Sequence, residues 1–270
     1  MPTDVDAEVL WNRRLSPDYN VLALSAPEIA AAVEPGQFVM VKASDGQVPL
    51  LRRPFSVFEI IGDDRAAPTG FTILSKRVGP GTERLYAARA GQRFSCLGPL
   101  GRPFTLVAPP VEAWMVAGGV GLAPFATLAE RLVGLRCPVS LFYGARRADE
   151  LFAVEVFERM SVRVVLATED GRCGARGFVT VPLAGELQKR PPAAPVMVYA
   201  CGPEPMLRAV SELASAHGRP SQLAMERIMG CGMGGCFSCV VRVRAGEGRP
   251  HYVRSCIEGP VFRGEDIVWE

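Results

Sequence analysis

The sequence lacks an excess of charge of either sign, which excludes one class of partner. Its 30 lysines and arginines offset 28 aspartates and glutamates, so the formal net charge of the 270 residues is +2. Adjacent basic residues form only short pairs, such as Arg13-Arg14, Arg52-Arg53 and Arg146-Arg147. Because proteins that bind a phosphate backbone concentrate basic residues in runs or patches, the sequence does not indicate nucleic-acid binding.

A secretion signal and a membrane-spanning run are also missing. Residues 1–8 are acidic and lack the positive start and the apolar stretch of a signal peptide. The most apolar long window, 115–135, contains Pro124, Glu130 and Arg131, whereas a membrane helix needs about 20 mainly apolar residues. We therefore expect a soluble, cytoplasmic protein that does not contact a membrane.

Cysteine is too sparse for a disulfide scaffold, and its distribution is uneven. Four of the eight cysteines are scattered along the chain, namely Cys96, Cys137, Cys173 and Cys201. We interpret the first two as core residues and the third as a loop thiol. The other four cysteines fall within the last 40 residues. In a cytosolic chain such a cluster indicates metal binding or redox chemistry.

Apolar residues, in contrast, are plentiful. Hydrophobic residues make up 49% of the sequence and charged residues 21%, a balance typical of globular proteins with a sizeable core. At roughly 100–200 residues per domain, the length predicts two domains and leaves room for a small third one.

Residues 1–108 have the pattern of an antiparallel β-barrel or sandwich, in which short strands alternate with turns. The predicted strands cover residues 21–24, 37–41, 55–60 and 70–74. The predicted turns cover residues 34–36, 44–46, 62–64 and 79–81. A short helix is predicted over residues 82–90.

At Pro109-Pro110 the pattern changes to strands that alternate with helices. The predicted strands are 113–117, 139–143, 162–166 and 196–200, and the predicted helices follow them, ending near 135, 159, 189 and 217. This alternation predicts a doubly wound parallel sheet with helices on its faces. We assign residues 1–108 to a barrel domain, 109–220 to an α/β nucleotide domain and 221–270 to a small C-terminal module.

The C-terminal cysteines have the spacing Cys231-x4-Cys236-x2-Cys239-x16-Cys256. The first three match the spacing of plant-type [2Fe–2S] sites. A short loop can wrap three thiolates around a compact cluster, and a fourth then arrives from a distant segment. Glycines between these cysteines permit tight turns and allow backbone N–H groups to face sulfur. We predict these four cysteines as the ligands of a [2Fe–2S] cluster.

A zinc site is the alternative interpretation of the same four cysteines. Zinc ribbons usually present two C-x2-C pairs, whereas only one such pair occurs here and the other gap is rich in glycine. The spacing therefore favours iron and sulfide over zinc.

Two glycine-rich turns follow predicted strands in the nucleotide domain and open helices. In a doubly wound sheet both turns lie at the carboxyl ends of strands, where backbone N–H groups and helix N-termini bind phosphates. Either turn alone also fits an ordinary strand–helix connection. Together they predict a nucleotide site formed by Gly118, Gly119, Gly121, Ala123, Pro124, Cys201, Gly202 and Pro203.

Two motifs in the barrel domain are suited to a dinucleotide. Arg53 lies in Arg-Pro-Phe-Ser (53–56), and an arginine fork makes paired hydrogen bonds to a pyrophosphate. Gly81 and Thr82 precede the predicted helix and provide N–H and hydroxyl donors. Taken singly, each motif also fits a solvated turn.

The order of these motifs resembles that of the ferredoxin–NADP reductase superfamily. The motifs are Arg-Pro-x-Ser (53–56), Gly-x-Gly-Thr (79–82), Gly-Pro-Leu-Gly (98–101), Gly-Gly-x-Gly-x-Ala-Pro (118–124) and Cys-Gly-Pro (201–203). With the four cysteines, residues 226–230 before them and 259–262 after them, nearly the whole chain is similar to the electron-transfer subunits of heteromeric, NAD-dependent dihydroorotate dehydrogenases. The resemblance implies an N-terminal FAD-binding antiparallel barrel, a NAD-binding α/β domain and a [2Fe–2S] module.

The resemblance also implies roles for individual residues of the barrel. Arg53 contacts the FAD pyrophosphate, with Pro54 beside it, and Ser56 lies near the flavin ring as a catalytic residue. Phe55 stands where many relatives have tyrosine, so stacking is kept and the hydroxyl is lost. Three residues lie along the dinucleotide and two form its phosphate turn, namely Leu74, Ser75 and Lys76, followed by Gly81 and Thr82.

In the nucleotide domain, the resemblance places Cys201 at the reacting face of nicotinamide. A small buried thiol is the alternative interpretation of this residue. Glu169 and Asp170 disfavour a 2′-phosphate and so favour NAD over NADP, while Arg146 and Arg147 argue for the opposite preference.

The implied function is an oxidoreductase subunit that passes electrons between NAD(H), FAD, a [2Fe–2S] cluster and a partner. The partner is an FMN-containing dihydroorotate dehydrogenase catalytic subunit of pyrimidine biosynthesis, with two copies of each chain. Such chemistry needs no acid–base pair, which agrees with the presence of only two histidines, His217 and His251. The alternatives are a subunit or reductase for another acceptor, such as a sulfhydrogenase or ferredoxin-type enzyme, and a non-enzymatic, zinc-stapled nucleotide-binding module.

Overall fold

A computed structural model describes residues 1–44, 46, 49–62, 67–244, 246 and 248–269. Parts of two predicted turns, at Asp45 and at Asp63-Asp64, lie outside the described residues. Within the described ranges, no helix is both long and apolar enough to cross a membrane.

The N-terminal part forms the expected closed antiparallel barrel. Its six strands are β1 (Thr3–Arg14), β2 (Tyr19–Ser25), β3 (Phe38–Lys42), β4 (Arg53–Ile61), β5 (Gly70–Lys76) and β6 (Arg93–Leu100), with α1 (Pro27–Ala32) and α2 (Pro80–Ala87) between them. The strand order around the barrel is β1-β2-β5-β4-β3-β6. The apolar side chains of these strands fill the barrel with a buried core that includes Val9, Leu22, Val39 and Ile73.

A mainly parallel seven-stranded sheet follows, with helices on both faces. Its elements along the chain are β7 (Glu112–Gly118), α3 (Phe125–Gly134), β8 (Val139–Ala145), α4 (Val154–Arg159), β9 (Arg163–Thr168), β10 (Ala175–Arg176), α5 (Thr180–Lys189), β11 (Val196–Cys201), α6 (Glu204–Ala216) and β12 (Ser221–Ala224). The strand order is β10-β9-β8-β7-β11-β12, and the edge is completed by an antiparallel strand from the C-terminal region. The predicted fold class is confirmed.

The predicted helix that ends near residue 159 is interrupted in the structure. The structure has a 3-10 turn at Ala148–Glu150 and a separate α4 that begins at Val154. Ala153, between them, has a φ of 55°, a left-handed conformation that interrupts a right-handed helix.

The C-terminal region is small and rests on both larger units. It contains the hairpin strands β13 (Val240–Val243) and β14 (His251–Arg254), the short α7 (Ser255–Glu258) and β15 (Val261–Arg263). β15 is the antiparallel edge strand that pairs with β12. A separate apolar cluster joins the barrel to this region, and its members include Phe38, Met40 and Leu97 from the barrel with Met229, Cys239 and Cys256. The proposed domain boundaries remain predictions.

Candidate functional site

A cavity lies where the sheet of the nucleotide domain meets the barrel. It has a volume of about 540 Å³ and is lined by Gly118, Gly119 and Pro203 from the two predicted glycine-rich turns. The barrel contributes Tyr19 and Lys76 to the same cavity. Because these turns end parallel strands, the cavity occupies the edge of the sheet where α/β proteins bind nucleotides.

The two glycine-rich turns contact each other because β7 and β11 are paired neighbours. A Cβ atom on Gly118 would lie 2.7 Å from the sulfur of Met206, and one on Gly121 would collide with the carbonyl of Cys201. Glycine is therefore required here for close packing of the two turns. Two further predicted residues of the first turn, Ala123 and Pro124, are buried at the start of α3. Gly202 of the second turn is buried against the backbone of Gly118.

Cys201 is buried beside Glu226, which lines the cavity. Burial raises the pKa of the Cys201 thiol well above its ordinary value, and the nearby Glu226 carboxylate adds to this effect. The thiol is therefore neutral at physiological pH. The Glu226 carboxyl is accessible from the cavity, but the surrounding protein removes part of its water shell, and this desolvation raises its pKa.

The two acidic and two basic residues considered for nucleotide preference differ in where their side chains lie. Arg146 and Glu169 line the cavity. Asp170 instead accepts a hydrogen bond from the backbone N–H of Arg172 at 3.1 Å, and Arg147 pairs with Asp149 at 3.2 Å. Of the four residues considered for NAD or NADP preference, only Arg146 and Glu169 are among the residues that line the cavity.

The two phosphate motifs of the barrel are brought together. A Cβ atom on Gly81 would lie 3.6 Å from Cγ of Arg53. The Arg53 guanidinium is exposed and donates to the carbonyls of Leu51 and Arg52 at 3.0 and 3.2 Å. The Thr82 hydroxyl accepts hydrogen bonds from the backbone N–H groups of Val78 and Gly79, so it stabilises the turn that begins α2.

The remaining barrel residues of the site lie on β4 and β5. Phe55 and Ser56 are half-buried on β4, and Leu74 is buried on β5. The Ser75 hydroxyl is buried and has no hydrogen-bond partner among the described residues. An unpaired buried hydroxyl costs free energy, so its presence beside the dinucleotide motif fits a bound ligand that supplies the missing partner. Lys76 is exposed, with its ammonium 5.1 Å from the ring centre of Tyr19.

The four C-terminal cysteine thiols lie close enough to affect one another. Cys236 interacts with Cys231, and Cys256 interacts with Cys239 and, more weakly, with Cys231. A [2Fe–2S] centre takes four ligands, two on each of its irons, so four thiols gathered in this way fit such a cluster.

The Cys236 and Cys256 thiols differ in environment. Cys236 is exposed, and hydrogen bonds from the Ser238 side chain and from neighbouring backbone groups lower its pKa to about 6. Cys256 is buried, and burial raises its pKa to about 12. The Ser255 hydroxyl next to it is buried without a partner among the described residues, which again fits a group that the protein is built to hold.

The loop that carries the first three cysteines packs directly on the barrel. Gly232 has a φ of 73°, and a Cβ atom there would lie 2.6 Å from Cγ of Met40. Met40 on β3 is opposite Pro54 of β4, which belongs to the predicted flavin motif. The cluster loop is therefore one strand away from that motif.

Sequence reasoning identified some of these residues and missed others. The cavity residues that it missed include Tyr19, Phe178 and Met206. Glu226 was quoted only within the 226–230 segment and was given no role in the site; the signal that could have found it was the position of an acidic residue two positions after β12. The ligand-binding roles of the identified residues remain predictions.

Two domain families match the chain in the expected order. Residues 115–212 match the oxidoreductase NAD-binding domain. Residues 226–268 match the iron–sulfur cluster binding domain of dihydroorotate dehydrogenase B. The predicted NAD-binding and iron–sulfur domains are thereby confirmed.

Solved structures share the fold over most of the chain. A structure described as the NADH-dependent reduced ferredoxin-NADP oxidoreductase, studied for flavin-based electron bifurcation, is 26% identical with a TM-score of 0.83 and covers 97% of this chain and 90% of its own. A ferredoxin NADP+ reductase from Neisseria gonorrhoeae, solved with FAD and NADP, is 18% identical with a TM-score of 0.63 and covers 80% and 92%. The second likeness concerns the fold alone.

Curated relatives match along the full length. The dihydroorotate dehydrogenase B (NAD(+)) electron transfer subunit of Desulforamulus reducens is 38% identical over 98% of both chains. The electron transfer subunit homolog of Aquifex aeolicus is 34% identical over 99% of this chain and 100% of its own. The chain therefore belongs to the family of dihydroorotate dehydrogenase B (NAD(+)) electron transfer subunits.

Proposed function

We propose that this chain passes electrons between NAD(H), FAD, a [2Fe–2S] cluster and a dihydroorotate dehydrogenase catalytic subunit. The observation that carries the proposal is the position of the barrel. Tyr19 and Lys76 of the barrel line the nucleotide cavity, and Met40 of the barrel contacts the cluster loop. The barrel, which we assign to FAD, thus lies between the other two sites.

When bound, these groups supply hydride transfer and one-electron transfer, and the protein supplies position and electrostatics. Arg53 and the Gly81 turn would bind the FAD pyrophosphate, and the Ser75 hydroxyl would hydrogen-bond to the dinucleotide. Ser56 would lie near the flavin ring. Glu226 lines the cavity beside the buried, neutral Cys201 thiol, and we place the nicotinamide at this point.

The nucleotide preference depends on two charged residues that line the cavity. The Glu169 carboxylate would repel a 2′-phosphate, whereas the Arg146 guanidinium would attract it; both line the cavity. We propose that Glu169 decides the preference and that the chain uses NAD.

The partner docks on the exposed surface around the cluster loop. Four apolar side chains are exposed there: Ile228, Met233, Phe237 and Ile257. Exposed apolar side chains that are clustered mark interaction surfaces, and the family name of the relatives specifies an electron transfer subunit. The occupant we propose is an FMN-containing catalytic subunit, in a cytoplasmic assembly of two copies of each chain.

The proposal is tested by anaerobic purification from the native source. We expect flavin, iron and acid-labile sulfide in the preparation, an NADH-reducible chromophore, and a co-purifying subunit that oxidises dihydroorotate. A preparation with zinc and neither iron nor sulfide would contradict the proposal.

A second candidate is an electron-transfer subunit for a different acceptor. It is favoured by the likeness to the NADH-dependent reduced ferredoxin-NADP oxidoreductase structure, at a TM-score of 0.83. Both candidates share the cofactors, so the co-purifying partner distinguishes them. Association only with a hydrogenase or a ferredoxin-type enzyme would establish the second candidate.

A further inference from the structure

The loop that carries Cys231, Cys236 and Cys239 includes one residue whose backbone conformation the local sequence does not favour. Gly232 and Gly234 have φ values of 73° and 81°, which glycine adopts freely, but Phe237 has a φ of 56°. A left-handed conformation at a non-glycine residue costs about 1–3 kcal/mol and persists only where the surroundings hold it. A specific contact must therefore hold this loop in shape.

Arg254 supplies contacts at two points of the loop. Its guanidinium donates a hydrogen bond to the carbonyl of Gly234 at 3.0 Å. Its Cζ atom lies 5.0 Å from the ring centre of Phe237, within the range of a cation–π contact. One side chain therefore touches the glycine turn and the left-handed phenylalanine together.

The same arginine is tied to the segment that carries the fourth cysteine. Its guanidinium pairs with the Glu258 carboxylate at 3.3 Å, and the Arg254 backbone N–H donates to that carboxylate at 3.0 Å. Cys256 lies between Arg254 and Glu258 in the sequence. The ion pair thus joins the residues on either side of the fourth cysteine, while the same guanidinium contacts Gly234 and Phe237 of the loop that carries the other three.

An arginine is required by this geometry. The planar fork can bond to a carboxylate and a carbonyl at once while stacking on an aromatic face, and a lysine ammonium cannot do so. The side chain is about one-third exposed, so its positive charge is only partly screened by water. It lies beside a loop that would hold an anionic thiolate cluster.

We propose that Arg254 is a positioning residue that fixes the three-cysteine loop against Cys256 and places a positive charge beside the cluster. The inference rests on the proposed function, because it presupposes a [2Fe–2S] cluster at the four cysteines. It assigns two separable properties to one side chain: the fork sets the retention of the cluster, and the charge raises the reduction potential of the cluster.

The test compares three variants of the full-length, anaerobically purified protein with the unaltered chain. Arg254→Met removes the fork and the charge, and Arg254→Lys keeps the charge alone. Arg263→Met is the matched control, because Arg263 lies on β15 of the same region and pairs with Glu265. The readouts are iron and sulfide per chain, the rate of cluster loss to a chelator, and the midpoint potential from a redox titration followed by electron paramagnetic resonance.

We expect Arg254→Met and Arg254→Lys to lose the cluster on the order of tenfold faster than the unaltered chain, the range typical of residues that orient metal ligands. We expect Arg254→Met to lower the midpoint potential, Arg254→Lys to stay near the original value, and Arg263→Met to change neither quantity. FAD content in the same samples reports whether the barrel remains folded.

Three results would overturn the inference. These are unchanged cluster loss in Arg254→Met, an unchanged potential in Arg254→Met, or equal effects of Arg254→Met and Arg263→Met. If Arg254→Met does not fold, Arg254→Lys still tests the fork, and cluster loss at the original rate in that variant would overturn the inference. An unaltered chain without iron and sulfide would instead refute the proposed function itself.

Discussion

Gly232 of the cluster loop lies against the side chain of Met40 on the barrel. A Cβ atom on the glycine would be 2.6 Å from Cγ and 3.0 Å from the sulfur of Met40, which is fully buried. The absence of a side chain at this position allows the loop backbone to approach the barrel. The separation between the cluster and the flavin motif therefore depends on this glycine.

We predict that Gly232→Ala displaces the loop and weakens cluster binding. The substitution adds the cost of a left-handed alanine, about 1–2 kcal/mol, to the overlap with Met40. Iron and sulfide per chain and the rate of cluster loss measure the effect. Gly235→Ala is the matched control, because a Cβ atom there meets no atom within 4 Å and Gly235 lacks a positive φ. Equal cluster retention in the two variants would contradict the prediction.

We predict that Ser75→Ala weakens FAD binding without destabilising the flavin-free protein. The Ser75 hydroxyl is buried and has no partner among the described residues, so its removal costs no internal hydrogen bond. Loss of a hydrogen bond to FAD would weaken the binding free energy by about 1 kcal/mol, which raises the dissociation constant roughly fivefold. Fluorescence titration of the flavin-free chain measures the affinity, and thermal unfolding measures stability. Ser140→Ala, at a buried serine of β8, is the control, and an equal affinity in both variants would refute the proposed contact.

The strands of the barrel show how far local sequence predicts the fold. The cores of β2 to β5 were predicted because their apolar residues are contiguous. β1 and β6 were not predicted, and β1 begins within the acidic residues 1–8, which have no apolar run. Carboxylates of β1 pair with arginines far along the chain, Asp4 with Arg52 at 2.7 Å and Asp6 with Arg93 at 2.6 Å. Such partners lie about 50 to 90 positions away in the chain, beyond any local pattern.

The candidate site also shows that local sequence patterns do not reveal tertiary contacts. The four cysteines and the glycine turns were found because their chemistry requires a fixed local spacing. Arg254 was not found, and Glu226 was given no role, because no spacing rule marks a single arginine or glutamate. Their significance arises from tertiary neighbours, namely Gly234 and Phe237 for Arg254 and Cys201 for Glu226.

We predict that Glu169→Gln reduces the preference for NADH over NADPH. The neutral amide keeps the shape of the side chain and removes the charge that opposes a 2′-phosphate, while Arg146 remains in the cavity. An electrostatic change of about 1 kcal/mol corresponds to roughly fivefold in relative affinity. The ratio of kcat/KM for the two nucleotides with an artificial acceptor measures it. Glu158→Gln, at an exposed glutamate of α4, should leave the ratio unchanged, and an unchanged ratio in Glu169→Gln would remove Glu169 from the selection of nucleotide.

We predict that Glu226 favours the oxidised nucleotide in a pH-dependent manner. The nicotinamide ring carries a positive charge in NAD+ and none in NADH, so an ionised carboxylate near it stabilises NAD+ selectively. Desolvation raises the pKa of Glu226, so the preference is present at pH values above this raised pKa and is lost as the pH falls through it. Glu226→Gln should remove about 1 kcal/mol of electrostatic stabilisation of NAD+ at high pH. This loss raises the dissociation constant of NAD+ relative to that of NADH by roughly fivefold.

Titration of flavin fluorescence with each nucleotide between pH 5 and 9 measures both constants. In the Glu226→Gln variant the ratio should no longer depend on the ionisation of this residue. The prediction fails if the variant and the unaltered chain show the same ratio at every pH.

We predict that Ile228→Asp weakens binding of the catalytic subunit and leaves the cluster in place. Ile228 is 86% exposed beside the buried Met229, so an aspartate there meets water in the free chain and meets the partner in the complex. Burying an unpaired charge in an interface costs several kcal/mol, which would raise the dissociation constant by at least about tenfold. Val181→Asp is the control, since Val181 is exposed on α5 of the nucleotide domain. Analytical ultracentrifugation of the mixed subunits measures association, and iron content reports cluster integrity. If both variants bind as the unaltered chain does, the partner docks on a surface other than the one around the cluster loop.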